Sequence, residues 1–91
     1  MVEDGGDLAQ RTVVVRNPLG LHARPAAVLA RLIAGLDAAV TIDGANGASV
    51  LEIMKLGATG GQELVLSATG PAASEALDAV TAAIDGGFGE V

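Results

Sequence analysis

The chain reads TVVVRNPLGLHARPAAVLARLIAGL over residues 12–36, a stretch that joins a strand pattern directly to a helix pattern. Thr12–Arg16 is rich in β-branched residues and is followed by Asn17-Pro18, which predicts a strand that ends in a turn. From Ala23 to Leu36, apolar residues recur at spacings of three and four, as on the buried face of an amphipathic helix. The only histidine of the chain, His22, therefore lies at the junction between the first strand and the first helix.

Five further elements are predicted after this helix. Val40–Ile42 is a short strand, and the glycines that follow it allow a tight reversal into a brief third strand. Residues 49–52, Ser-Val-Leu-Glu, form a capping-box pattern that predicts a short helix. Glu63–Ala68 alternates like a strand, and Gly70-Pro71 opens a last helix that ends at Gly86-Gly87. The buried face of that helix is predicted to consist of Ala73, Ala76, Leu77, Val80 and Ile84. The order β-α-β-β-α-β-α predicts an α+β fold with helices on one side of a sheet.

The composition is that of one small domain whose core must be built from Ala, Val, Leu and Ile, almost without aromatic side chains. Of the 91 residues 51% are apolar, but Phe88 is the only aromatic residue and there is no cysteine. Residues 1–10 contain three acids and no apolar run, which predicts a flexible acidic tail or linker before a domain at 11–91. The start lacks the pattern of a secretory signal, and the lack of cysteines fits a reducing cytosol.

Charge and residue types argue against several classes of function. A formal net charge of −6 opposes binding to nucleic acid, which depends on Lys and Arg to neutralise phosphates. No stretch approaches the roughly 18 apolar residues of a membrane span. One histidine without cysteines leaves no zinc site, and the glycine-rich segments at 44–47 and 57–61 lack the GK[ST] ending of a phosphate-binding loop. We therefore expect no metal, no organic cofactor, no nucleic acid and no membrane insertion.

The residues around His22 suit a phosphate. The first N–H groups of a helix have no partner inside the helix, and the helix dipole is positive there. Pro25 has no N–H, so the free donors are the backbone groups of Ala23 and Arg24, and the Arg24 guanidinium suits phosphate oxygens. Imidazole is a good nucleophile near neutral pH. The alternative is that His22 is an ordinary helix cap or surface residue and that Arg24 is a solvated surface charge.

Several motifs together resemble a known family. The segment Gly20-Leu21-His22-Ala23-Arg24-Pro25-Ala26 resembles the active-site signature of HPr, the histidine phosphocarrier of the phosphoenolpyruvate-dependent sugar phosphotransferase system. Residues 49–57 are similar to the HPr segment that has a serine at the head of a short helix, and the resemblance extends over residues 11–90. It implies an open-faced β-sandwich, in which three helices cover one side of a four-stranded antiparallel sheet.

The resemblance also implies a function. Nδ1 of His22 would accept a phosphoryl group from phosphorylated enzyme I and pass it to a histidine of an EIIA-type acceptor, with Arg24 in contact with the phosphoryl group. The protein would be a cytoplasmic monomer that acts as part of a transferase system rather than as a stand-alone enzyme. Leu51, Met54 and Lys55 would belong to a docking surface for these partners.

Three points are left open by the sequence. Ser49 matches a serine that a kinase modifies in some HPr proteins, but a role as the N-cap of the short helix explains it as well, and Glu52 would repel a phosphate there. Phe88-Gly89-Glu90 resembles HPr modules within multidomain proteins, notably the phosphotransfer subunit of dihydroxyacetone kinase, so that kinase system is an alternative partner. A regulatory binding module with the same fold and a small-molecule-binding α+β domain are the alternatives of other classes.

Overall fold

A four-stranded antiparallel sheet carries three helices on one face in the computed structural model, which describes residues 8–90. The predicted fold class and element order are confirmed. In chain order the elements are β1 (Leu8–Val14), α1 (Ala23–Ala34), β2 (Ala39–Ile42), β3 (Ala45–Asn46), α2 (Val50–Lys55), β4 (Glu63–Thr69) and α3 (Ala73–Asp85), followed by a 3-10 turn (Gly87–Gly89).

Strand β4 lies inside the sheet, whose strand order is β1-β4-β2-β3. It pairs antiparallel with β1 along its whole length and with β2 over its second half. Its side chains alternate as predicted, because Leu64 and Leu66 are fully buried under the helices whereas Val65 is 45% exposed on the open face.

The core between the sheet and the helices is built almost entirely from aliphatic side chains. The predicted inner face of α1 contributes the fully buried Leu29 and the buried Ile33, and all five predicted positions of α3 are buried. Leu36 is only partly buried because α1 ends at Ala34, with Gly35 as its C-cap. Phe88 packs against the edge of this core. No helix among residues 8–90 is long and apolar enough to cross a membrane.

Both predicted ends of β1 were wrong. Strand β1 runs from Leu8 to Val14 instead of Thr12 to Arg16, because Leu8–Gln10 pair with the last residues of β4. The last three residues of the predicted tail at 1–10 therefore belong to the sheet, and residues 1–7 lie outside the described part of the chain.

The start of α3 also differs from the prediction. Pro71 lies in a turn in which the N–H of Ala73 donates to the carbonyl of Gly70, so Ala72 is the N-cap and the helix begins at Ala73. Gly70 adopts a φ of 123°, which is open to glycine and rarely to other residues, and this directs the chain away from β4 before the helix starts.

Backbone hydrogen bonds connect the loop before α1 to the loop after α2. The N–H of Leu21 donates to the carbonyl of Ala58 at 3.0 Å, and the N–H of Gly61 donates to the carbonyl of Val15 at 2.9 Å. Gly20 has a φ of 71°, and a Cβ atom at this position would overlap the carbonyl oxygen of Ala58. The two backbones therefore approach closely only because residue 20 is glycine, two residues before His22.

Candidate functional site

His22 is the N-cap of α1. Its backbone is extended, with φ −71° and ψ −171°, and its side chain makes no capping hydrogen bond to the helix. The side chain is 39% exposed, so the imidazole is partly accessible at the start of the helix. The structure thus gives His22 the position that the sequence predicts for it.

Two backbone N–H groups next to His22 have no backbone partner among residues 8–90. The first helical bond runs from the N–H of Ala26 to the carbonyl of His22 at 3.0 Å, and Pro25 has no N–H. Among residues 8–90, the N–H groups of Ala23 and Arg24 donate to no backbone carbonyl. With the positive end of the helix dipole, these two donors form a place where an anion is favoured.

Glu90 lies directly against the imidazole of His22. The Nε2 atom of His22 is 2.9 Å from one carboxylate oxygen of Glu90 and 3.1 Å from the other. The Glu90 side chain is only 15% exposed. Its pKa is lowered from the usual value of 4.5, first by the hydrogen bond with His22 and then by that with Asn17. The carboxylate is therefore ionised at neutral pH and can only accept hydrogen bonds.

Asn17 connects this carboxylate to the loop before α1. Its side chain is fully buried, and Nδ2 donates both to the carbonyl of Gly20 at 2.7 Å and to Oε1 of Glu90 at 2.9 Å. The first bond closes the turn that carries the chain toward His22, and the second holds Glu90. These two bonds hold the loop before α1 and Glu90 together, whereas Oδ1 of Asn17 is buried without a hydrogen-bond partner among residues 8–90.

Arg24 is exposed on the first turn of α1. Within residues 8–90 its guanidinium forms no ion pair. Its positive charge also lowers the pKa of Glu90, after the larger effects of His22 and Asn17. The guanidinium is thus close enough to the site to act on the charge of Glu90.

Ser49 caps α2, as the capping-box pattern predicts. Its Oγ accepts the N–H of Glu52 at 3.2 Å. The return half of the box does not form, because the N–H of Ser49 donates to the carbonyl of Asn46 and the Glu52 carboxylate pairs with Lys55 at 3.7 Å.

An apolar surface lies on α1 and α2, which pack against each other. Of the predicted docking residues, Leu51 is 71% exposed and Met54 is 41% exposed, and Lys55 is exposed beside them on α2. Leu19 in the loop before α1 and Val28 on α1 are also exposed apolar residues, and the sequence reading did not single them out. Exposed apolar side chains grouped on adjoining elements are typical of an interface.

Asn17 and Glu90 are the site residues that the sequence reading missed. The sequence predicted only a turn at Asn17, and Glu90 was noted only as part of a segment that resembles HPr modules of multidomain proteins. Neither belongs to a periodic pattern, and Glu90 and His22 are 68 positions apart in the chain. The sequence features that could have pointed to these two residues are weak. They are an asparagine directly before a proline and an acid directly after Gly87-Phe88-Gly89.

A separate depression of about 550 Å³ opens at the C-terminal end of α1. Its lining is mostly apolar and includes Ile33, Leu36, Val40 and Asn46. None of the predicted site residues lines it, so it is distinct from the site at His22.

Comparison with known proteins agrees with this geometry. Residues 9–85 match the family described as the PTS HPr component phosphorylation site. The chain belongs to this family. Its role is therefore that of an HPr-type phosphocarrier of a phosphotransferase system, as the resemblance of the motifs implied.

Relatives and solved structures extend the agreement along the chain. Phosphocarrier protein NPr of Escherichia coli is 40% identical over 86 residues, which cover 89% of this chain and 96% of NPr. The multiphosphoryl transfer protein of Salmonella typhimurium is 38% identical over 91 residues, which cover 92% of this chain but 24% of that protein. HPr from Thermoanaerobacter tengcongensis superimposes with a TM-score of 0.84 at 33% identity, covering 91% of this chain and 98% of the HPr chain. The HPr fold is thus shared along nearly the whole domain.

Proposed function

We propose that Nδ1 of His22 accepts a phosphoryl group from phosphorylated enzyme I and passes it to a histidine of an acceptor protein. The observation that supports this most strongly is the position of a partly exposed imidazole at the N-cap of a helix whose next two N–H groups are free. The nucleophile and the donors for the phosphate oxygens therefore occur at one place.

Each transfer is an exchange of one N–P bond for another. The lone pair on Nδ1 of His22 attacks the phosphorus atom of the donor's phosphohistidine, and the old N–P bond breaks with its electron pair left on the donor nitrogen. The N–H groups of Ala23 and Arg24 and the Arg24 guanidinium stabilise the negative charge on the transferred group. The chain needs no metal or organic cofactor for this step.

The apolar residues of α1 and α2 supply the docking surface in this proposal. Leu51 and Met54 of α2 would be covered by the partner, and the exposed Lys55 would pair with an acidic group of enzyme I. Such a carrier would act as a monomer, because the same face has to meet enzyme I and the acceptor in turn. We propose that it does so in the cytoplasm.

The acceptor has two candidates. An EIIA-type protein is the acceptor in a sugar phosphotransferase system. The phosphotransfer partner of a dihydroxyacetone kinase is the alternative, and the resemblance of the segment Phe88–Glu90 to HPr modules of multidomain proteins supports it. Incubation of the phosphorylated protein with each purified acceptor would distinguish the two by the transfer rate.

Ser49 is proposed as a structural cap rather than a regulatory site. Its hydroxyl already accepts the N–H of Glu52, and the Glu52 carboxylate would oppose a phosphate at this position by like charge. Mass analysis of protein purified from its own source, after the acid-labile phosphate on His22 has been removed, would show no phosphate on Ser49.

Labelling with enzyme I and phosphoenolpyruvate tests the main proposal. The wild-type protein should gain one acid-labile, base-stable phosphate, and His22→Ala should gain none while keeping a wild-type circular dichroism spectrum. An unlabelled wild-type protein would favour a regulatory binding module with the same fold. The same phosphate on His22→Ala would show that another residue is the acceptor.

A further inference from the structure

We infer that Glu90 is a positioning residue for phosphoryl transfer, which keeps the proton of His22 on Nε2 and thereby leaves Nδ1 bare as the nucleophile. This inference rests on the proposed function and names a residue that the family match, which spans residues 9–85, does not include.

The contact geometry determines which nitrogen holds the proton. Both oxygens of Glu90 lie within 3.1 Å of Nε2, and an ionised carboxylate has no hydrogen to donate. Nε2 must therefore be the donor. A neutral imidazole has one N–H only, so Nδ1 then presents its lone pair to an incoming phosphoryl group.

The fold holds Glu90 in place from two sides. Gly87, Phe88 and Gly89 have φ values of 66°, 57° and 77°, which turn the chain sharply after α3, and the N–H of Glu90 closes this turn on the carbonyl of Gly87 at 2.8 Å. A phenylalanine rarely adopts a positive φ, and here its ring packs against the core. On the other side, Asn17 donates to Oε1 of Glu90. The carboxylate is thus fixed before any partner arrives.

This arrangement places a negative charge beside the positive charge that develops on the His22 ring during transfer. When Nδ1 bonds to phosphorus, the proton remains on Nε2 and the ring becomes positively charged. The Glu90 carboxylate faces that developing charge, and in the proposed transfer the phosphate oxygens meet the helix donors and Arg24. When the group moves on to the acceptor, the electron pair returns to Nδ1 and no proton has to be moved.

Because Asn17 donates to Glu90, the substitutions Glu90→Gln and Glu90→Ala should have different effects on phosphoryl transfer. In Glu90→Gln, the carbonyl oxygen that accepts from Nδ2 of Asn17 takes the place of Oε1, which lies 3.1 Å from Nε2 of His22. The NH₂ group then takes the place of Oε2, which is closer to Nε2, at 2.9 Å. An NH₂ donor prefers an Nε2 without a proton, which moves the proton to Nδ1 and blocks the nucleophile. Glu90→Ala removes the acceptor without adding a donor. We therefore expect Glu90→Gln to impair transfer more than Glu90→Ala does.

Two measurements test the inference. Long-range proton–nitrogen NMR correlation spectra of the neutral His22 ring should show the proton on Nε2 in the wild type and a major population on Nδ1 in Glu90→Gln. The rate of transfer from enzyme I should fall by roughly tenfold or more in Glu90→Gln, the size of effect seen when the partner that orients a metal-binding histidine is removed. Glu75→Gln, an exposed position at the start of α3, is the matched control and should leave both unchanged.

The outcomes separate this inference from the proposed function. A wild-type protein that is not phosphorylated refutes the proposed function, while the NMR measurement still reports on the contact. An unchanged position of the proton in Glu90→Gln, or a transfer rate equal to that of Glu75→Gln, overturns the role of Glu90 although His22 remains the acceptor. Thermal unfolding of each variant shows whether a slower transfer comes with loss of the fold.

Discussion

Substitution of Gly20 by alanine tests whether the close approach of two loops positions His22. Gly20 has a φ of 71°, and the left-handed conformation costs an L-residue about 1–2 kcal/mol. The added Cβ would overlap the carbonyl of Ala58, so the loops must separate and the bond from Leu21 to Ala58 is lost, which costs about 0.5–1.5 kcal/mol more. Displacement of the backbone adds to these terms, and we expect Gly20→Ala to lower the free energy of unfolding by roughly 2–4 kcal/mol.

Gly57→Ala is the control for this prediction. Gly57 also has a positive φ, 61°, but no atom lies within 4 Å of a Cβ built at this position. Its substitution should therefore cost only the conformational term, about 1–2 kcal/mol. Urea unfolding measures both variants, and the phosphoryl transfer rate should fall in Gly20→Ala alone, because only Gly20 sits in the loop that leads to His22. Equal losses of stability and equal transfer rates in the two variants would refute the argument from close approach.

Three further predictions concern single side chains. Arg24→Ala should slow phosphoryl transfer by roughly ten- to a thousandfold, about 1.4–4 kcal/mol of barrier, with an unchanged unfolding midpoint, and an unchanged rate would show that the backbone donors suffice. Ser49→Ala should lower the unfolding free energy by about 0.5–2 kcal/mol through loss of the N-cap on α2, and urea unfolding would contradict this if no loss is seen. The pKa of Glu90 is lowered in the folded protein, so its carboxylate stabilises the fold above its unfolded value near 4.5 and this contribution is lost as the pH falls through the folded pKa. The stability difference between wild type and Glu90→Gln should therefore shrink as the pH falls below about 4.5, and a difference that does not shrink there would contradict the assignment.

The local patterns of the sequence predicted most of the fold. Helix α1 and the buried face of α3 follow from apolar spacings of three and four, and the inward-facing Leu64 and Leu66 follow from alternation in β4. These predictions hold because a helix or strand buries one face, and the period of its apolar residues reports that face directly. The ends of β1 could not be predicted from local patterns, since they depend on pairing with distant residues of β4, Leu8 with Thr69 and Val14 with Glu63.

The sequence by itself determined that His22 stands at the start of a helix, followed by two free donors and a proline, because each of these features depends only on neighbouring residues. Only the tertiary structure decided which residue faces Nε2 of the His22 ring. Glu90 reaches Nε2 because α3 packs on the sheet, the turn at Gly87–Gly89 reverses the chain, and the buried Asn17 holds the carboxylate. No local pattern encodes a contact between residues 68 positions apart, since it arises from the packing of whole elements against one core.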